Sequence, residues 1–155
     1  FVNTGRMAVA NTYTRSSLCH TTGGRSTQNA AFTWADGSTG VVNDLLQWAG
    51  GQLLLLVFGR LSRQDLQHLK ALASAAPVRC VQVLGDGDHA QAREHVRDQN
   101  PRGTGHLRNA CHVYGQTWAL VRPDAYVAAT GDDLDGNLVQ AVARTLGAAA
   151  TMETA

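Results

Sequence analysis

Cys80, Cys111 and the nearby His106 and His112 are the side chains best suited to chemistry in this chain, and their spacing limits what they can do. Thiol–disulfide exchange needs a thiolate stabilised at a helix N-terminus, usually with a second cysteine three positions on. The cysteines stand at 19, 80 and 111, so no Cys-x-x-Cys exists. Cys80 lies among Val78, Val81 and Val83, which predicts a small buried hydrophobe rather than a nucleophile. A zinc site needs about four ligands at recognisable spacing. Cys111-His112 with His106 offers too few, and no His-x-x-x-His pair is present. His89 and His95, six apart, fall on different faces of a helix and read as solvated histidines. Gly85-Asp86-Gly87-Asp88 resembles part of a calcium loop but lacks the later acidic ligands, so a strand-to-helix turn explains it better. Gly103-Thr104-Gly105 follows no strand and is a weak phosphate cradle. On these patterns no residue is assigned as catalytic, cofactor-binding or metal-ligating.

The elements that would position these side chains follow from hydrophobic patterning. Residues 1–40 are polar, glycine-rich and weakly patterned, apart from a short strand at 31–34 that ends at Asp36-Gly37. An irregular segment of that length is uncommon inside a compact domain. Residues 1–30 are expected to be an arm or linker from a preceding domain, and the start at Phe1 suggests a piece of a longer protein, although simple processing could produce the same start. Asn43 is placed to cap a short helix, 44–48, that stops at Gly50-Gly51. Six consecutive apolar residues, LLLLVF at 53–58, suit a central strand buried on both faces. A helix then begins, with Ser62 as N-cap, Asp65 at its third position, and Leu61 and Leu66 as a hydrophobic staple. Leu66, Leu69, Leu72 and Ala73 form its apolar face, and Pro77 ends it. Residues 78–84 read as a second strand, completing a β-α-β unit.

Residues 88–98 are expected to form a mostly polar helix, and 100–105 a loop. At 118–131, WALVRPDAYVAATG reads as a β-hairpin turning at Arg122-Pro123-Asp124-Ala125, where Pro123 suits the second turn position. Asp132 or Asp133 is expected to cap a last helix with Leu134, Leu138, Val142 and Leu146 on its inner side. Gly147 is expected to stop that helix, and 148–155 to be a disordered tail. The order β-α-β, variable segment, β-hairpin, α predicts an α/β thioredoxin-like domain at 31–147: a small mixed sheet flanked by helices.

Composition narrows the function classes. A net charge of +1 argues against nucleic-acid binding. No apolar run reaches membrane-spanning length. Three widely spaced cysteines favour reduced thiols and a cytoplasmic location.

In order along the chain, Phe1-Val2-Asn3-Thr4-Gly5-Arg6, Tyr13 through Ser17-Leu18, Trp34-Ala35-Asp36-Gly37-Ser38-Thr39, LLLLVFG at 53–59 and Leu120-Val121-Arg122-Pro123-Asp124-Ala125-Tyr126-Val127-Ala128 form an ordered set. This set resembles the C-terminal region of FAD-dependent aromatic hydroxylases, most closely the 3-(3-hydroxyphenyl)propionate hydroxylases. Ala35, Ala125 and Thr130 depart from that pattern. The resemblance implies a parent enzyme that uses FAD and NAD(P)H to hydroxylate a phenolic ring, with the flavin doing the oxygen chemistry. It also implies a C-terminal thioredoxin-like domain without redox cysteines. The family's dinucleotide fingerprint and flavin-binding Gly-Asp motif have no counterpart here, so no flavin residue is carried over. The expected partners are the preceding FAD and substrate domains, with a homo-oligomer contact as a further role.

The thiol site of a catalytic thioredoxin would stand just after the first core strand. That place reads Phe58-Gly59-Arg60-Leu61-Ser62-Arg63 and holds no cysteine. Two other readings remain open on the sequence. One is a free-standing redox protein using Cys80 or Cys111. The other is a small-ligand or protein-binding module with a pocket beside Trp118 and Tyr126.

Overall fold

The computed structural model describes residues 24–99 and 106–147. Its elements in chain order are β1 (Ala31–Trp34), β2 (Thr39–Val41), α1 (Val42–Ala49), β3 (Leu53–Phe58), α2 (Arg63–Ala75), β4 (Val78–Leu84), β5 (His95–Asp98), α3 (Leu107–Ala110), β6 (Trp118–Val121), β7 (Val127–Gly131) and α4 (Gly136–Thr145). The strands form one seven-stranded mixed sheet in the order β2-β1-β5-β4-β3-β6-β7. β3, β4 and β5 run parallel, while β6 pairs antiparallel with β3 on the other side. This is the thioredoxin-like arrangement expected from the sequence.

The LLLLVF run sits in the middle of the sheet, and all six residues are buried. Alternation sends Leu54, Leu56 and Phe58 into one core, and Leu53, Leu55 and Val57 into the other. The first core is closed by Val42 and Leu45 of α1 and Leu107 of α3. The second is closed by Leu69 and Leu72 of α2 and Leu138, Ala141 and Val142 of α4. A strand between two such layers has no polar face, so its continuous apolar sequence follows from its position.

Helix α2 starts as its sequence predicts. Ser62 N–H donates to Asp65 Oδ2 (2.8 Å), and Asp65 N–H donates back to Ser62 Oγ (3.1 Å). Its apolar face is narrower than expected: Leu69 and Leu72 are buried and Leu66 half-buried, but Ala73 is exposed. Helix α1 does not use Asn43 as its cap. It begins at Val42, with Val41 N–H donating to the Asp44 carboxylate (2.8 Å) and Asn43 N–H donating to Asn29 Oδ1 (3.2 Å). The cap oxygen therefore comes from a residue that precedes β1, which local sequence does not reveal.

The helix expected over 88–98 is replaced by turns and strand β5. Its residues alternate in burial, with Val96 and Asp98 inward and Arg97 outward. β4 and β1 flank this segment and present backbone donors and acceptors that need partners, so the sheet overrides a weak local pattern. β2 is a further strand that patterning missed. It pairs with β1 across a turn in which Asp36 Oδ1 accepts from Ser38 N–H (2.9 Å) and Ser38 Oγ–H (2.6 Å).

The last helix starts later than expected. Its cap is Asp135, whose Oδ1 accepts from Asn137 N–H (2.9 Å), rather than Asp132 or Asp133. Asp133 instead gives its carbonyl to Trp118 Nε1–H (2.8 Å), tying the preceding loop to the hairpin. Leu146, expected on the inner side, is 44% exposed, because α4 ends at Thr145.

The hairpin turns where its sequence predicts. Ala125 N–H donates to Arg122 C=O (3.0 Å), and Arg122 N–H donates to Tyr126 C=O (2.8 Å). Ala125 takes a left-handed φ of 66°, the position where such three-residue loops favour glycine. Replacing Ala125 with Gly is therefore expected to stabilise the domain by about 1 kcal/mol, the penalty for a Cβ in this region less the added freedom of the unfolded chain. Urea denaturation of the two chains measures the difference.

The segment before β1 lies along the outer edge of β7. Gly24 N–H donates to Val127 C=O (2.7 Å), Val127 N–H to Arg25 C=O (2.8 Å) and Thr27 N–H to Ala125 C=O (2.7 Å). Residues 1–23, 100–105 and 148–155, with most of the arm expected over 1–30 and the loop and tail expected there, lie outside the described residues.

Candidate functional site

The place to look for chemistry is the turn between β3 and α2, at the C-terminal ends of the parallel strands. Open α/β sheets bind their ligands there. Gly59 takes φ 90° to leave the strand, and its N–H donates to Val83 C=O (3.0 Å). Arg60, Leu61, Ser62 and Arg63 follow. Leu61 is buried in the core under α2, and Ser62 is committed to capping. The turn is well built and contains no thiol.

Gln82 fastens this turn from behind. It is only 1% exposed. Its Nε2 donates to Gly59 C=O (2.8 Å) and to the Gln91 side-chain oxygen. Its Oε1 accepts from Gln91 N–H (2.9 Å) and Ala92 N–H (3.0 Å). A buried amide that uses both donors and two acceptor positions is fully satisfied. It locks the β3–α2 turn to the loop that leads into β5.

A polar cleft of about 240 Å³ opens beside the turn, lined by Gly59, Gly85, Asp86, Asp88, Asp98 and Arg108 among others. The Arg108 guanidinium lies 4.7 Å from the centre of the Phe58 ring and donates to Gln116 C=O. Burial lowers its pKa, against the opposing charges of Asp88 and Asp98. The carboxylates shape loops: Asp98 Oδ2 accepts from Leu107 N–H (2.9 Å), and Asp88 Oδ2 accepts from Gly85 N–H (2.9 Å). The latter bond makes Gly85-Asp86-Gly87-Asp88 a turn after a strand, although β5 and not a helix follows. The cleft lining contains neither a histidine nor a thiol.

The other candidates are not brought together. Cys80 is half-buried, and desolvation pushes its thiol up to about 11. Cys111 is fully buried, and the same effect pushes it up to about 12. His106 Nδ1 accepts from Asn109 N–H (2.7 Å) and so caps α3, while His112 Nε2 meets Ser26 C=O (3.0 Å). Among the described residues no group of three or more His, Cys, Asp or Glu side chains could hold a metal ion. Trp118 is 2% exposed and Tyr126 half-buried, so the hairpin presents no open aromatic patch. An apolar groove of about 410 Å³ does lie between α2 and α4, lined by Leu69, Leu72, Ala75, Leu134 and Val139 among others.

Sequence reasoning missed Gln82 and Arg108. The available signal for Gln82 was a single amide within the apolar strand Val-Arg-Cys-Val-Gln-Val-Leu. Arg108 carried no signal, because its partners come from β3 and from the segment before β6.

No family model matches the chain, and no curated protein matches it. Solved structures do. The substrate-free rebeccamycin biosynthetic enzyme REBC superposes with a TM-score of 0.52 at 24% identity, over 95% of this chain and 24% of its own. The thioredoxin domain of a thiol-disulfide oxidoreductase from Bacteroides vulgatus gives 0.53 at 16% identity, over 77% of this chain and 97% of its own. A thioredoxin-like protein from Bacteroides caccae gives 0.50 at 14% identity, over 84% of this chain and 50% of its own. At these identities the likeness establishes the thioredoxin-like fold. The chain spans about a quarter of the length of the rebeccamycin enzyme. No described helix is long and apolar enough to cross a membrane.

Proposed function

We propose that this chain is the non-catalytic, C-terminal thioredoxin-like domain of a cytoplasmic aromatic-ring monooxygenase that uses FAD and NAD(P)H. The parent would hydroxylate a phenolic compound such as 3-(3-hydroxyphenyl)propionate. The domain's role would be to stabilise the preceding FAD and substrate domains or to form a subunit contact. The observation that carries this reading is a complete thioredoxin-like scaffold whose β3–α2 turn, Gly59-Arg60-Leu61-Ser62-Arg63, holds no thiol and is fastened shut by Gln82. Retention of the fold without its nucleophile favours a structural role. The likeness to the rebeccamycin enzyme, over 95% of this chain, supports a parent of that general kind. In such a parent, flavin and nicotinamide would be held by residues upstream. The domain would require neither nucleic acid nor membrane.

The coding sequence upstream of Phe1 tests the reading. A Gly-x-Gly-x-x-Gly after a first strand, followed by a flavin-binding Gly-Asp motif, is the expected result. An initiation codon directly before Phe1, or an upstream domain without those motifs, would overturn it.

A further inference from the structure

We infer that His112 is a latch that holds residues 24–28 in a slot between β7 and α3, and so fixes where the preceding chain joins the domain. The slot has two walls. On one side Val127 at the start of β7 pairs with Gly24 and Arg25, and Ala125 of the hairpin turn with Thr27, through backbone hydrogen bonds, and Thr27 Oγ1–H adds a bond to Ala125 C=O (3.1 Å). Alternation in an extended chain turns the Ser26 carbonyl and the Gln28 amide the other way, towards the end of α3. There Gln28 N–H donates to Ala110 C=O (2.9 Å), and the Ser26 carbonyl meets His112 Nε2 (3.0 Å).

The chemistry of a helix end explains why a side chain is needed. A helix C-terminus offers unpaired carbonyls, which accept hydrogen bonds. It can receive Gln28 N–H but has nothing to give the Ser26 carbonyl. A carbonyl only accepts, so His112 Nε2 must carry the proton and donate. The residue stands in an unusual place for a histidine. Val113 N–H donates to Arg108 C=O (2.8 Å) and His112 N–H to Asn109 C=O (3.0 Å), with His112 at φ 56° between them. That is a Schellman ending, whose left-handed residue is usually glycine. A Cβ is disfavoured there, so the helix ending alone does not call for histidine, whereas the slot does.

Side-chain burial contributes little to holding the strap. Arg25, Gln28 and Asn29 are exposed, and Ser26 and Thr27 are half-buried. A segment held mainly by hydrogen bonds opens locally without unfolding the core, so one donor has leverage on its position. The latch does not depend on what the upstream chain carries, and its failure would leave the proposed parent enzyme untouched.

Substitution with glycine separates the latch from the helix ending, because it relieves the left-handed strain while removing the imidazole. In His112→Gly, and in His112→Asn, which tolerates this φ but is shorter, tryptic cleavage at the Arg25–Ser26 bond is expected to accelerate roughly five- to tenfold. Hydrogen exchange at the Thr27 and Gln28 amides should accelerate alike, as for the loss of one hydrogen bond. The thermal midpoint of His112→Gly should be unchanged or higher. Cleavage and exchange that stay at the parental rate in both variants, or rise only as far as global stability falls, would overturn the latch.

Discussion

At pH 7, in a chain carrying Cys19→Ser, iodoacetamide is expected to alkylate Cys80 about a hundredfold more slowly than free cysteine, and Cys111 more slowly by about a thousandfold or more. Burial raises the two thiols from 9.0 to about 11 and about 12. The thiolate is the reactive form, and its population near neutrality falls about tenfold for each unit by which the pKa rises. Restricted access slows Cys111 further, since it is fully buried. Mass spectrometry of the two cysteine peptides over time measures both rates. Rapid modification of either residue in the folded chain would revive the redox reading. The same burial makes a prediction about pH. The folded state favours the neutral thiols, so their contribution to stability is intact below about pH 9 and is lost as pH rises through their folded values. Stability should then fall by up to about 1.4 kcal/mol per pH unit for each thiol. Replacing Cys111 with Ala should flatten that alkaline fall.

Gln82→Leu is expected to destabilise the domain by about 3 kcal/mol and to lower its thermal midpoint by roughly 10–15 °C. Leucine fills a similar volume but leaves Gly59 C=O, Gln91 N–H and Ala92 N–H without the partners they have now. These groups are only part-buried, so each costs towards the lower end of the about 1–3 kcal/mol for an abandoned buried group, with water recovering part at the outer loop. Gln82→Glu separates the two ends of the clamp. It keeps acceptors for Gln91 and Ala92 but places a carboxylate against the Gly59 carbonyl. It should therefore destabilise at least as strongly at neutral pH and recover partly as pH falls and the carboxyl becomes a donor. Thermal denaturation at two pH values reads both effects. A change within about 0.5 kcal/mol for Gln82→Leu, the range of ordinary surface substitutions, would show that the turn is not fastened by Gln82.

The parts of the fold legible in the sequence were those whose signal is local and strong. The LLLLVF run suited a strand buried on both faces, and Ser62 with Asp65 announced the start of α2 by reciprocal hydrogen bonds within four residues. The hairpin turn was equally local, through Pro123. His95-Val96-Arg97-Asp98 was misread because four residues with one apolar member do not establish a period, and the sheet on both sides decided the outcome. The caps of α1 and α4 failed for a related reason. Several Asn and Asp residues stand near each start, and tertiary contacts from Asn29 and Trp118 select among them.

The candidate site divides in the same way. Absence of a thiol at the β3–α2 turn is a matter of residue type and could be read directly. The Gln82 clamp, the stacking of Arg108 on Phe58 and the latch at His112 depend on neighbours distant in the chain. Local sequence offered His112 only as one of too few ligands, beside Cys111 and His106, for a zinc site.

The central claim is that this domain has kept a thioredoxin-like scaffold as structural support for a flavin enzyme while holding neither thiol chemistry nor flavin itself. Equilibrium titration of the purified 155-residue chain with FAD, followed by flavin fluorescence and by calorimetry, tests it most directly. The account predicts a folded chain with no saturable binding at micromolar FAD. Tight binding of one FAD per chain would contradict it.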